Sequence, residues 1–352
     1  FGKGPFPDGS QLHLTCNYSG AVSRSPFFVF RLMFDIVFYI FAGFLADLAL
    51  ADPRGWPHPV RWLGGYYDFW EGRCRDLNLD PLLCGAAGVI LLCLLVCIAV
   101  VGLVSLPVIG WFFGLYLAYS GLALGGLIRE GKKVLGLLEQ GDLSGAREVL
   151  AMLVSRDTSG MDKEKMNASL AETLSENFND AFCAPLFYLA LLGPAGLWIY
   201  KAVSTGDSMW GYKNERFERL GKFAARADDV LAWIPARISA FLFVLCARML
   251  PGGKKYSLVS VGEVWGKIAK DARRAESPNA GWCMSAAAHT LGIRLGGPAK
   301  YFGEMKDKPY FNPQGASPGL KEQKELIRLM YFSGFVFVAA VCAVIFFWGA
   351  MV

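Results

Sequence analysis

Charge is scarce in this sequence. Asp, Glu, Lys and Arg make up 18% of its 352 residues, against about 25% in an ordinary soluble domain, and the mean hydropathy is +0.36. Histidine is scarcer: His13, His58 and His289 are the only three, too few for a multi-His metal centre. The nine cysteines include no CxxC pair, which argues against a zinc ribbon or a thioredoxin-like site. Their odd number and irregular spacing fit a reducing compartment better than a disulfide framework. Cys84, Cys93, Cys97 and Cys342 lie inside apolar runs, where a thiol behaves as a small hydrophobe. Neither a 20–50-residue repeat nor a pair of similar halves is visible, which speaks against a solenoid and a repeat-built transporter. A net charge of +5 is mild, and suits a membrane surface better than nucleic acid.

What the chain does have is long uncharged stretches. Residues 81–128 and 329–352 carry no Asp, Glu, Lys or Arg. A spanning helix needs about 20 apolar residues, so the first run has room for two spans, 82–104 and 107–128, turning at Ser105 and Pro107. The second run makes one more. This excludes a soluble enzyme, a disordered chain and a secreted disulfide scaffold. Residues 27–50 are apolar but hold Arg31, Asp35 and Asp47. Arg31 and Asp35 are one helical turn apart, and pairing lowers the cost of each charge in a membrane, so this segment is read as the first span. Residues 1–26 read as a flexible tail or expression remnant. Pro53, Pro57 and Pro59 make 51–81 a polar loop and preclude a helix at its start.

Two further apolar segments are interrupted. Pro185, Gly193 and Pro194 break 181–203; Pro235, Arg237 and Arg248 punctuate 230–250. With only the four clean segments crossing, 32 of the 35 Lys and Arg fall on one side, and the positive-inside rule makes that side cytoplasmic. If both interrupted segments crossed, 204–229 would face the opposite compartment and the polar motifs would be split. The expectation is an all-α integral membrane protein of the cell (inner) membrane. It has about four transmembrane helices, two re-entrant or interfacial segments, and a cytoplasmic helical and loop region. The divisions are a membrane region at 27–128, a cytoplasmic catalytic region at 129–328 and a C-terminal transmembrane helix at 329–352. Ser144 and Asp162 are expected helix N-caps, and 251–328 reads as loop-dominated.

Chemistry-bearing residues concentrate in that polar region. Glu172, Glu176 and Asp180 recur at i, i+4 and i+8, with Asn177 beside them. Such a stripe is either a solvated acidic face or a magnesium site, since Mg²⁺ takes carboxylates together with substrate phosphates. Residues 204–237 interleave Asp207, Ser208, Lys213, Asn214, Arg216, Arg226, Asp228, Asp229 and Arg237. A basic juxtamembrane segment attracted to anionic lipid explains the cations but not the Asp and Asn residues among them. Arg156-Asp157-Thr158 and Glu276-Ser277-Pro278-Asn279 are smaller clusters, each readable alone as a turn. Gly126 to Lys133 has P-loop spacing, but Lys133 replaces the metal-binding Ser or Thr and no strand precedes it.

Taken together, these stretches resemble the adenosylcobinamide-phosphate synthase family of cobalamin biosynthesis (CbiB/CobD) over about residues 35–350. The resemblance rests on Asp52-Pro53, Pro57-His58-Pro59-Val60-Arg61, Arg156-Asp157-Thr158, Glu172-Thr173, Glu176-Asn177, Asp180 and Ala184-Pro185-Leu186-Phe187. It continues through Thr205, Asp207-Ser208-Met209, Gly211-Tyr212, Asn214-Glu215-Arg216, Ala225-Arg226, Asp228-Asp229 and Pro235-Ala236-Arg237. It ends on Ser277-Pro278-Asn279-Ala280-Gly281-Trp282 and Leu295-Gly296-Gly297-Pro298. Ser155, Ser204, Ala232 and Ala275-Glu276 depart from the family pattern.

The resemblance implies an ATP-dependent amide ligase that joins adenosylcobyric acid to aminopropanol, as its O-phosphate, giving adenosylcobinamide phosphate. ATP and Mg²⁺ are the expected cofactors. Glu172, Glu176, Asp180 and Asp207 are metal-ligand candidates. Asp207, Asp228 and Asp229 are the catalytic candidates, the latter two for metal binding or for deprotonating the amine. Arg156, Lys213, Arg216, Arg226 and Arg237 are candidates for phosphate binding, because guanidinium groups hold phosphates bidentately. Ser208, Asn177, Asn214 and Asn279 would orient substrates, and His58 and Arg61 would face the corrinoid. The bilayer is an expected partner and nucleic acid is not; homo-oligomerisation, or assembly with other late-pathway membrane enzymes, is a further expectation. A non-enzymatic regulator or sensor of the same family is the alternative; it would need the spans but not the polar motifs.

Overall fold

A computed structural model describes residues 26–51, 55–76, 80–250, 260–301 and 303–351. The tail 1–25 and the Asp52-Pro53 pair lie outside the described residues. Helices follow one another: α1 (Pro26–Leu50), α2 (Pro59–Asp76), α3 (Pro81–Val104), α4 (Ile109–Gly121), α5 (Leu124–Gln140), α6 (Leu143–Ala151) and α7 (Lys163–Asn177). A π-helical segment (Phe178–Cys183) leads into α8 (Ala184–Trp210), then α9 (Lys222–Leu231), α10 (Trp233–Met249), α11 (Val261–Ala272), α12 (Ala280–Leu291) and α13 (Leu320–Met351). Between α12 and α13 lie two small antiparallel ladders. β1 (Leu295–Gly296) pairs with β4 (Tyr310–Phe311), and β2 (Ala299–Tyr301) with β3 (Glu304–Lys306). One hydrophobic cluster joins the elements, running from Tyr39 and Phe44 on α1 through Phe182 and Phe243 to Phe337 on α13.

Among the described residues, five helices are long and apolar enough to cross a membrane, or six if the α9–α10 pair, bent by 46°, counts as one. The sequence offered four clean spans. The fifth is the continuous stretch Lys163–Trp210, and it is not one straight crossing. Gly193 has φ 65° and ψ −162°, a conformation open essentially to glycine alone, and Pro194 follows it. On a straight helix Tyr188 and Tyr200 would stand about 18 Å apart, yet their rings stack at 5.3 Å. Helix α8 is therefore a hairpin with arms 184–192 and 194–210. Its tip lines one cavity with Arg31, Tyr39 and the α3–α4 turn at Val104–Val108; we call this the far end of the molecule. Both arms return to the near end, where Tyr67 Oη on α2 donates to the Ala202 carbonyl at 2.8 Å. The reversal is compatible with the re-entrant alternative of the re-entrant or interfacial expectation for 181–203. Helix α10 lies across the hairpin's mouth: Ser239 Oγ donates to Asn179 Oδ1 at 3.0 Å and Phe243 stacks on Phe178 at 4.6 Å.

Irregular backbone at membrane depth must be satisfied by protein. Where α4 stops and α5 begins, the Ala123 N–H donates to the Ala181 carbonyl at 3.0 Å. The buried Asp47 carboxylate on α1 accepts from the Gly125 N–H at 2.8 Å, answering the open N-terminus of α5.

Several local readings change. A helix does start among the loop prolines, because Pro59 occupies the first helical position, where the missing N–H costs nothing; Leu63, Tyr67, Glu71 and Cys74 form its buried face. Asp142, not Ser144, caps α6, its carboxylate accepting from the Gly145 N–H at 2.9 Å; Asp162 caps α7 as expected. The stretch after 259 is not mainly loop: α11 and α12 pack through Trp265 and Trp282, whose rings lie 5.1 Å apart. Residues 126–133 lie inside α5, so no phosphate loop exists there. Cys84 is not a free thiol. It forms a disulfide with Cys74 across a Cα separation of 6.0 Å, tying the end of α2 to the start of α3.

Candidate active site

Folding α8 back on itself brings distant carboxylates to one place. Asp180, on the π-helical segment that leads into the first arm, and Asp207, near the end of the second, feel each other's charge. Asp228 on α9 feels Asp180, Asp207 and Asp229, and one of its buried oxygens, Oδ1, has no hydrogen-bond partner. π-bulges recur at functional sites; this one carries Asp180, whose charge still reaches Glu176 on the preceding helix. Basic groups sit at the edges of the acidic cluster: the charge of Lys201 reaches Asp180 and that of Lys213 reaches Asp229. Asn179 Nδ2 donates to Asp180 at 2.7 Å. Ser277 hydrogen-bonds the Asp229 carboxyl, and Asn279 Nδ2 donates to the Asp229 carbonyl at 2.8 Å.

Beside the acids opens a cavity of about 440 Å³, lined among others by Arg156, Glu176, Asn177, Ser277 and Lys308. Its wall is the Arg156–Glu172 pair. Arg156 Nη2 donates to Glu172 at 2.5 Å and Nη1 to Ser169 Oγ at 3.2 Å, while the other Glu172 oxygen accepts from the Gly296 N–H at 2.8 Å. Burial works against the Arg156 charge, but the Glu172 carboxylate outweighs it, with help from Tyr301 and Glu176, and holds the guanidinium above its ordinary pKa. The Tyr301 ring lies 5.7 Å beneath it. A smaller cavity of about 260 Å³ on the other side of the pair takes in Lys165 and Lys300. On its rim, hydrogen bonds from Ser159 hold the half-buried Asp157 carboxyl below the usual range.

The remaining candidates are distributed less evenly. Glu172 is buried and both its oxygens are engaged, so it belongs to no solvated face and is not a free ligand. Among the described residues no three His, Cys, Asp or Glu side chains gather into a shell that could hold a metal ion; Glu172 and Glu176 lie on α7, Asp180 on the π-helical segment and Asp207 on the second arm of α8. Asn177 donates to the Thr173 carbonyl at 2.9 Å. Arg216 is committed to Glu71 on α2 by two bonds, at 2.8 and 3.2 Å, which raise its pKa. Asn214 caps the same loop by accepting from the Phe217 N–H at 3.0 Å. Arg237 lies between the Trp233 and Trp282 rings and donates to Asn279 Oδ1 at 3.1 Å. Ser208 donates to its own helix, and Arg226 is exposed on α9. His58 and Arg61 line a third cavity of about 430 Å³, with Trp56, Tyr116 and Lys201. Lys201, Lys308 and Gly296 were not singled out from sequence as site residues. Lys201 closes an apolar run and Lys308 sits in a lysine-rich strand turn, so neither carries a local signal, and Gly296 lay inside a matched motif without a role.

Comparison with known proteins covers most of the chain. The family described as CobD/Cbib protein matches residues 40–330. The Pelobacter propionicus "Cobalamin biosynthesis protein CobD" is 40% identical over 295 residues, covering 82% of this chain and 88% of that protein. The protein of the same name from Photorhabdus laumondii is 36% identical over 305 residues, covering 82% and 91%. The Salmonella arizonae "Cobalamin biosynthesis protein CbiB" is 34% identical over 314 residues, covering 85% and 96%. No solved structure matches the chain.

Proposed function

The chain belongs to the CobD/CbiB family of cobalamin biosynthesis, and on that premise we propose that it is an ATP-dependent amide ligase. It joins the carboxylate of adenosylcobyric acid to aminopropanol, as its O-phosphate, and releases adenosylcobinamide phosphate. The observation that carries this reading is the acidic cluster of Asp180, Asp207, Asp228 and Asp229 beside a polar cavity holding Arg156 and Lys308. A carboxylate does not acylate an amine near neutral pH unless it is activated. Phosphoryl transfer asks a protein chiefly for positioning and charge neutralisation, which this side-chain set offers in the near absence of histidine.

The unpartnered Asp228 oxygen among three other carboxylates fits a divalent cation. Mg²⁺ commonly takes one or two protein carboxylates and completes its shell with water and phosphate, so a closed protein shell is not required. Asp207 and Asp228, with Asp180 behind them, would hold it. Bound there, it would neutralise phosphate charge. Arg156 and Lys308 would cradle the phosphates of ATP in the 440 Å³ cavity. The corrinoid carboxylate attacks the terminal phosphorus and ADP leaves. The amine nitrogen then attacks the acyl carbon of that acyl phosphate, inorganic phosphate departs, and Asp229 at the rim takes the ammonium proton. The near end would face the cytoplasm, in line with the Lys and Arg count.

Purified protein in detergent, given Mg-ATP, adenosylcobyric acid and aminopropanol phosphate, should yield a new amide by mass. ATP consumption without that product would refute the ligase reading.

A further inference from the structure

At the far end a cavity of about 620 Å³ opens under the hairpin tip, away from the acidic cluster. Its walls are hydrocarbon: Ile36, Val100, Val104 and Leu192, closed on one side by Trp111. Two charged side chains interrupt them, Arg31 and Asp35. They are one turn apart on α1, so their Cβ atoms stand roughly 5–6 Å from each other, and Asp35 feels the Arg31 charge. Both lie at the level of the α3–α4 turn, where the spanning part of α1 begins at Met33.

We propose that this cavity seats one zwitterionic phospholipid of the ethanolamine type, with its phosphate on Arg31, its ammonium on Asp35 and its acyl chains along the apolar walls. The charge pattern selects the occupant. A planar guanidinium binds phosphate through paired hydrogen bonds, and a primary ammonium supplies the N–H donors that a membrane-embedded carboxylate requires. Phosphate and ammonium in this headgroup are joined by a two-carbon link, which suits a cation and an anion one helical turn apart. A choline headgroup has no N–H to give Asp35. A glycerol headgroup has no cation at all, so Asp35 repels it. The walls demand chains as well as a headgroup, because a soluble phosphoamine would leave them unfilled. The bound lipid supports Leu192 and Gly193, the turn on which both arms of α8 depend. This inference does not rest on the proposed reaction.

The test is native mass spectrometry of the full chain in mild detergent, titrated with phosphatidylethanolamine, phosphatidylcholine and phosphatidylglycerol bearing identical chains. The wild-type protein should retain the ethanolamine lipid about tenfold more tightly than either of the others, the worth of one charge-assisted hydrogen bond. Asp35→Asn should abolish the preference over choline, and Arg31→Gln should weaken all three lipids. Equal retention of the three headgroups by wild type would overturn the proposal, and this arm needs no variant to fold. So would an unchanged preference in Asp35→Asn, or glycerophosphoethanolamine displacing the lipid at equal concentration, which would make the site one for a soluble phosphoamine.

Discussion

The Arg156–Glu172 pair offers a test whose size follows from its surroundings. Both side chains are largely out of water, 15% and 5% exposed. Glu172→Gln keeps the shape and the bond from the Gly296 N–H but removes the negative charge, leaving the guanidinium buried with Ser169 and the Tyr301 ring as remaining partners. Breaking a buried pair on one side costs about 3–5 kcal/mol; with one bond retained, the expected loss is near 3 kcal/mol, roughly a hundredfold in the folding equilibrium. Glu172→Ala also strands the Gly296 N–H and adds about 1 kcal/mol. Replacing both partners, Arg156→Met with Glu172→Leu, leaves no unpaired charge and should cost about 1 kcal/mol. The assay is SDS-titrated unfolding in mixed micelles, read as a double-mutant cycle. Single variants as stable as wild type, or a double variant losing the sum of the two singles, would refute the assignment of this pair as a buried, mutually dependent wall.

Three further outcomes are expected. Gly193→Ala should destabilise the protein by about 1–3 kcal/mol through backbone strain alone, since nothing lies within 4 Å of the added methyl; an unchanged unfolding midpoint would contradict the hairpin turn. Asp207→Asn should abolish amide formation, followed by mass, while the protein remains folded in membranes; near-wild-type turnover would remove Asp207 from the machinery. A cysteine at position 214, introduced as Asn214→Cys, should react with an impermeant maleimide only from the cytoplasmic face, and labelling from outside would reverse the proposed orientation.

The membrane helices were legible because uncharged length is a direct statement about solvent: 81–128 became α3, α4 and the first turn of α5, the second expected span being broken after Gly121, and 329–351 the outer part of α13. The hairpin was half legible. Pro185, Gly193 and Pro194 announced an interruption, but only the stacking of Tyr188 on Tyr200 shows the chain reversing. Helix α2 was hidden because proline's effect depends on position, ruinous inside a helix and harmless at its first residue. In the candidate site, the carboxylates stood out by density. What sequence could not convey is which of them were already taken, since the partners of Glu172 lie 16 residues before it and 124 after it. The Cys74–Cys84 link was likewise invisible, its two cysteines ten residues apart and one of them in an apolar run.

The fold-back of α8 also bears on how the chain enters a bilayer. From residue 181 to residue 200 it carries no charged side chain, and the charges resume at Lys201 on the returning arm. An apolar tip can be pushed in from one face while Asp180 and Lys201 stay at the entrance, so no ion has to be dragged through hydrocarbon and no polar loop exported. The hairpin adds nothing to the parity of crossings. On the proposed four-span topology, α1, α3, the α4–α5 run Ile109–Gln140 and α13 would alone decide which compartment each loop inhabits.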